Sequence, residues 1–354
     1  MKKRELAHAL KVIATNSEAS EILIQALIQM EGVLKKEGID VRETITGPVV
    51  DCLYNDDTIL DKSLIDGTKF EFYYRSKIAR DFLMSTPRTP DHAWEPQTTR
   101  LLLELSKKSK NVIVGGAYFG DQAILIAKQI SLNGGYLHAF EPNNQQRLSL
   151  LQNARINGLT NIKTSGDGLW NNSTTKLKLT GYDSSAAPEV ADEKNKDTFQ
   201  TITIEDYVVN EELPGIDLVM LDIEGAEFKA LLGAENLLKK AAGEAPNLVF
   251  EVHSHYVDWS NGLNNTPLIK YLTDCGYHTF AIRDFHSNYS ISDKTIEIIP
   301  PGEVYLKGPD HGFNMLAIKD MDIVQNKRFR FCSNVSPKLL LHRDPKLYHP
   351  TTGI

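Results

Sequence analysis

The chain of 354 residues is poor in cysteine, holding only Cys52, Cys275 and Cys332. Three widely spaced cysteines form neither a disulfide framework nor a zinc-binding spacing, and a reducing cytoplasm is expected. Positive charge is in deficit: 39 Lys and Arg stand against 46 Asp and Glu, a formal charge of −7. A broad nucleic-acid-binding face is therefore not expected. Long apolar runs are missing, so no membrane span is expected. Lys2, Lys3, Arg4 and Glu5 are followed by no apolar signal core, so nothing points to secretion. What remains is a chain with 41% hydrophobic and 24% charged residues, the composition of a globular protein with a sizeable core.

The first hundred residues read as helical. From Ser17, Leu23, Leu27, Met30 and Leu34 fall at helical spacing, with Gly38 as a stop after Lys35 and Lys36. A second helix is expected over residues 63–83. Pro87, Pro90 and Pro96 make an irregular connection, and the main domain is placed after it. The expected division is a helical segment over 1–90, a domain over 91–320 and a basic tail over 321–354. The tail carries Lys327, Arg328, Arg330, Lys338, Arg343 and Lys346 against Asp322 and Asp344. It reads as a solvated tail; two further roles considered for it are docking on a second subunit, as in a homodimer, and holding a phosphorylated substrate. Residues 183–198 read as an exposed loop.

Beyond Thr98 helices alternate with short apolar strands. Strands are expected at 111–115, 136–140, 161–165, 216–221, 248–253, 277–282 and 313–318. Helices are expected at 98–108, 121–132, 145–156, 227–240 and 267–275. This alternation predicts an α/β fold with a mostly parallel sheet covered on both faces. Such sheets bind ligands beyond the carboxyl ends of their strands.

The residues after the strands follow that rule. The first strand runs into Gly115, Gly116, Ala117, Tyr118, Phe119, Gly120 and Asp121, a turn that lets backbone approach a ligand closely. The second ends in Phe140, Glu141, Pro142 and Asn143, with Glu141 21 residues past Gly120. An acidic residue at that distance is where a ribose diol is held, and both a nicotinamide dinucleotide and S-adenosylmethionine fit. The third is followed by Gly166, Asp167, Gly168, Leu169 and Trp170, which form either an adenine contact or an ordinary Asp-Gly turn. The fourth ends in Asp222, Ile223, Glu224, Gly225, Ala226 and Glu227.

The segments VIVGGAYFGDQAI, HAFEPN, GDGLW, TITIEDYV, LVMLDIEGAEFKALLGAENLL and LVFEVH, in that order, resemble the FkbM-like family of S-adenosylmethionine-dependent methyltransferases. The likeness covers about residues 94–320, and the stretch WEPQT resembles the family's lead-in to its first strand. It implies a Rossmann-like seven-stranded sheet whose last strand is antiparallel, preceded here by the helical segment. It also implies methyl transfer to oxygen, on a hydroxyl of a sugar, glycan or other small metabolite. Val114 stands where the family carries an acidic residue that holds the amino-acid end of the cofactor, and Tyr118 stands at a family Asn; Glu95, Asp121 and Asp222 are candidates to compensate.

An alcohol is protonated at neutral pH, so a general base is expected. Glu251, His253 and His255 alternate and would share one face of an extended strand, with His253 as base beside Glu251 and Asp222 as the other candidate. A divalent ion held by Asp222, Glu224 and His253 is a minority alternative; negative charge at Glu224 and Glu227 is also explained by the helix that follows. Tyr256, Trp259, Phe285, His286 and Tyr289 suit the apolar faces of sugar rings. Two readings compete with O-methyl transfer: an NAD(P)-dependent oxidoreductase, and a non-catalytic binding protein of methyltransferase descent.

Overall fold

The computed structural model describes residues 2–34, 40–192, 194–285, 288–291, 294–307 and 312–339. Gly38, His286, Arg343 and Lys346 lie outside these. The chain divides into two compact units, Met1–Trp94 with Ser287–Ser290, and Glu95–His286 with Ile291–Ile354.

The first unit holds helices at Lys2–Ala14 and Ser17–Val33, the second capped by Asn16, whose side chain accepts from the Ala19 amide. Its core joins Leu10, Ile24, Leu27, Val50, Leu53, Tyr74 and Met84. The helix expected over 63–83 is a correction. Strands Ile59–Ser63 and Lys69–Tyr73 pair antiparallel there, and only Lys77–Met84 is helical. The reason is a period of two: Phe70, Phe72 and Tyr74 are buried on one face, and Asp66 accepts from the Thr68 amide across a turn at Gly67 with φ +83°.

The second unit is built on a ten-stranded sheet. Its strands are β1 (Asn111–Gly115), β2 (Tyr136–Phe140), β3 (Ile162–Ser165), β4 (Leu218–Leu221), β5 (Asn247–His253), β6 (His278–Phe285), β7 (Ile296–Ile299), β8 (Gly312–Ile318), β9 (Phe329–Phe331) and β10 (Lys338–Leu339). The order is β9-β7-β6-β8-β5-β4-β1-β2-β3, with β10 on β6. β3, β2, β1, β4 and β5 are parallel, while β8 runs antiparallel to both β5 and β6. The expected seven strands are therefore present, with the last reversed.

Buried Val112, Ile113, Val114, Leu218, Leu221, Leu248 and Phe250 make the central strands apolar on both faces, and helices such as Ala123–Ser131 and Pro267–Asp274 cover them. Three expectations need correction. Residues 321–339 are no tail: β9 and β10 belong to the sheet, and Lys338 is buried. The stretch after residue 183 is not all loop, because Ala187–Val190 joins Gly168–Leu169, Lys176–Thr180 and Phe199–Ile202 in a small second sheet. The helix expected over 227–240 is two, Glu227–Leu232 and Glu235–Leu238. They part at Gly233, where a Cβ would lie 2.2 Å from the Trp170 carbonyl oxygen.

Candidate active site

β1 and β4 meet at the glycine turn. A Cβ on Gly116, whose φ is +74°, would lie 1.8 Å from the Asp222 carbonyl oxygen. Only glycine lets the two backbones come that close. The turn then rises through Tyr118, itself left-handed at φ 49°, so that its amide points at Glu141. Glu141 Oε2 accepts from Tyr118 N at 2.9 Å and Oε1 accepts from Asn143 N at 2.9 Å. Burial pushes the Glu141 carboxyl up, against the pull of these two amides. Asn143 Oδ1 caps the helix Asn144–Ile156 by accepting from Gln145 N and Gln146 N.

Gly120 and Ala117 shape the rest of the turn. A Cβ on Gly120 would reach Leu150 at 2.4 Å, and the Gly120 amide donates to the Ala117 carbonyl at 2.9 Å. Gly115 packs so that a Cβ would meet Leu221, Leu169 and Ile223. Asp167 accepts from the Ser165 hydroxyl at 2.8 Å, an Asp turn at the end of β3. The following Gly168 faces the Phe199 ring. Leu169 is in the core.

Sequence reasoning missed a second layer on the turn. Tyr118 Oη donates to Asp183, and Gln146 Nε2 donates to the other oxygen of Asp183 at 2.6 Å. The segment between Lys176–Thr180 and Ala187–Val190 thus reaches the residues beside Glu141, and the Asp183 charge helps raise its carboxyl. No local pattern in the sequence marks this long-range contact.

At the ends of β4 and β5 carboxylates collect. Leu221 is opposite Phe250 in register, so Asp222 and Glu251 follow side by side. Burial, then mutual repulsion with neighbouring acids, holds both carboxyls well above the usual range. Asp222 feels Glu224, Glu95, Glu227 and Asp121; Glu251 feels Asp222, Glu95 and Glu224, opposed by Lys338. Burial pushes Asp121 up to about 6. Glu227 is pushed up to about 7 by burial, and its oxygens accept from Ile223 N at 2.8 Å and Gly225 N at 3.1 Å. It holds the turn after β4 and is not free for a ligand. Glu224, at φ 52°, accepts from Tyr256 Oη at 3.4 Å, and burial raises it.

Glu95 joins this group from the start of the helix Pro96–Ser106. Its Oε1 pairs with Lys338 and its Oε2 accepts from Asn314. Asp284 fixes the turn, accepting from Gln97 N at 3.0 Å and Thr98 N at 2.6 Å, with its carboxyl pushed up to about 7 by burial. Lys338, Asn314 and Asp284 were not foreseen. Asn314 was visible only as a lone polar residue in an apolar strand, and Lys338 was assigned to the tail.

The histidines behave differently from the expectation. Glu251 and His253 share a face, since a Cβ on Gly312 would meet Glu251 Oε1 at 2.2 Å and His253 Cδ2 at 2.6 Å. β5 ends at His253, and the chain turns: the amides of Tyr256 and Val257 both donate to the His253 carbonyl. His255 therefore leaves the extended face and is exposed. Its amide donates to His253 Nδ1 at 3.1 Å, which places the proton of a neutral ring on Nε2. In that state His253 offers a donor to the site rather than a base. Trp259 and Phe285 are packing residues, the first against Phe313 and the second in the core, whereas Tyr256 is 44% exposed. Among the described residues no three His, Cys, Asp or Glu are grouped so that they could hold a metal ion.

A sheet ordered β6-β8-β5-β4-β1-β2-β3 with only β8 reversed, and a glycine turn facing an acid at the tip of β2, is the methyltransferase variant of the Rossmann-like fold. Residues 115–279 match the family model for the methyltransferase FkbM domain. Solved structures similar to the chain include a precorrin-6y C5,15-methyltransferase from Geobacter metallireducens (13% identity, 63% of this chain and 89% of that one, TM-score 0.34). They also include TYW2 from M. jannaschii in complex with AdoMet (15%, 75% and 88%, 0.33). A third is the O-methyltransferase TomG from Streptomyces achromogenes in complex with SAM (11%, 64% and 80%, 0.34). No curated protein matches the chain. No helix among the described residues is long and apolar enough to cross a membrane.

Proposed function

We propose that the protein is an S-adenosylmethionine-dependent O-methyltransferase acting on a hydroxyl of a sugar, glycan or other small metabolite. The observation that carries this reading is the site's division into a clamped Glu141 beside the glycine turn and a cluster of raised carboxylates beside it. The donor set fits the cofactor. Each Glu141 oxygen uses one lone-pair position on a backbone amide and keeps another for a ribose hydroxyl. Asp222 feels Glu224, Glu95, Glu227 and Asp121, and Glu251 feels Asp222, Glu95 and Glu224 with Lys338 opposing; such a cluster of buried acids suits a ligand bearing a sulfonium and an ammonium. This cluster supplies from other positions what Val114 lacks. When bound, S-adenosylmethionine supplies a methyl group already activated for displacement.

The chain's own residues then have separable tasks. Glu141 orients the adenosyl end, and the glycine turn sets how close backbone comes. Asp222 and Glu251 act as a coupled carboxylate pair that takes the proton of the acceptor hydroxyl, since repulsion and burial keep them basic enough for it. His253, on the same face, donates from Nε2 to orient the acceptor oxygen. Tyr256 is the exposed aromatic ring beside that face.

Calorimetry with S-adenosylmethionine, its demethylated product and NAD tests the cofactor half, and binding of NAD alone ends the proposal. A methyl-uptake screen over nucleotide-linked sugars, glycosides and polyketide-like alcohols tests the acceptor half. Uptake confined to amines would remove the oxygen assignment. Glu251→Gln is expected to lower turnover at least a hundredfold with little change in cofactor affinity, general-base catalysis contributing about 10²–10⁴.

A further inference from the structure

We propose that Lys338 is a positioning residue of this site, its ammonium paired with Glu95 in a file of side chains that leads through Asn314 to the base Glu251. The inference rests on the base role given to Glu251 above. It adds two groups that lie outside residues 115–279.

Lys338 stands in β10, opposite Asp284 of β6, and is 2% exposed. A lysine is kept there only with a partner, because an unpaired buried ammonium is costly. The partner is Glu95, whose Oε1 takes the Nζ. Oε2 of the same carboxylate accepts from the Asn314 amide, and Asn314 is opposite Glu251 in the β5–β8 register. The four side chains form one file across β10, the helix start, β8 and β5. Glu95 is held in place by its left-handed backbone, φ 60°, and by Asp284 binding the two amides that follow it.

The charges facing Glu251 come from every neighbouring element: Asp222 and Glu224 from the end of β4, Glu95 from the helix start and Lys338 from β10. Lys338 in turn faces Glu95, Glu251 and Asp284. Of these four groups, the three carboxylates hold its proton on and Lys338 draws it off. Loss of Lys338 therefore raises the Glu251 carboxyl further. Without Glu95 the ammonium would act on Glu251 unopposed. The two partners therefore push the ionisation of Glu251 in opposite directions.

The test is the acidic limb of the pH–rate profile for methyl transfer by the full chain. Lys338→Met is expected to move the limb up by about one pH unit, with activity recovered at higher pH. Lys338→Arg should restore it, and Glu95→Gln should move it down. A structural role lowers activity at every pH and moves neither limb. Limbs that stay put, or that move the same way in both variants, overturn the proposal. If Lys338→Met fails to fold, an unmoved limb in Lys338→Arg with a lowered limb in Glu95→Gln supports it, and any other pair of results counts against it. Carbon-13 carboxyl titration of Glu251, assigned with Glu251→Gln, reads the same shifts without turnover. Failure of the methyltransferase reading is thus seen separately, as absence of cofactor binding in a protein whose Glu251 still responds to both variants.

Discussion

Replacing Glu141 by Gln removes a charge while keeping the shape, and the structure sets the expected size of the effect. In the wild type both oxygens accept, from Tyr118 N and Asn143 N, each at 2.9 Å. A Gln side chain has one oxygen, so one of these amides would face an NH₂ group. Loss of that bond costs about 1–3 kcal/mol, but a neutral amide also escapes the burial penalty that raises the carboxyl. The two effects oppose, and the unfolding free energy should change by less than about 2 kcal/mol. Ligand binding has no such offset. One charged hydrogen bond to a ribose hydroxyl contributes about 1.5–3 kcal/mol, so affinity for S-adenosylmethionine should fall about 10–150-fold. Wild-type affinity should also rise with pH through the acid range as the raised carboxyl ionises, a dependence the variant loses. Calorimetry at several pH values and urea unfolding of both proteins measure these quantities. Affinity within threefold of wild type would remove Glu141 from the cofactor site, and a collapse of stability with affinity would make its role structural.

Gly116→Ala should destabilise by more than the about 1–2 kcal/mol that a left-handed backbone costs alone, because its Cβ would lie 1.8 Å from the Asp222 carbonyl oxygen. Gly134→Ala, at φ +66° with open space around it, supplies that backbone cost by itself, and equal losses in urea unfolding would refute the close approach. The raised carboxyls of Asp121, near 6, and of Glu227 and Asp284, near 7, bind protons in the folded state that the unfolded chain has released. The stability they contribute is full below about pH 4 and is lost as pH rises through 6 to 7. Thermal unfolding should accordingly show a decline from pH 5.5 to 8, and a flat or rising profile contradicts the buried acids. A cationic ligand lowers those carboxyls, so S-adenosylmethionine binding near pH 6.5 should release protons. Calorimetry in buffers of different ionisation heat would detect this, and zero release counts against ligand contact with the cluster.

The sequence by itself determined the seven-stranded centre of the sheet, though not β7, β9 and β10. Strands β1, β2, β5 and β8 and the helices between them were legible because a parallel strand buried on both faces must be an apolar run, and its covering helix must carry a spaced apolar stripe. The glycine turn and Glu141 were legible for a related reason, since a close backbone approach admits only glycine and a diol needs an acid at a fixed distance along the chain. Even the missed hairpin at 59–73 was written in the alternation of Phe70, Phe72 and Tyr74. Tertiary structure alone decided the charge of the site. Glu95, Asn314 and Lys338 are more than two hundred residues apart at the extremes, and each looks ordinary in its own segment. A carboxylate becomes basic, and a lysine becomes a buried partner, only through desolvation and the charges brought beside it. Neither is a property of local spacing. The turn after His253, which took His255 off the face and engaged Nδ1, was likewise fixed by backbone hydrogen bonds that no period in the sequence records.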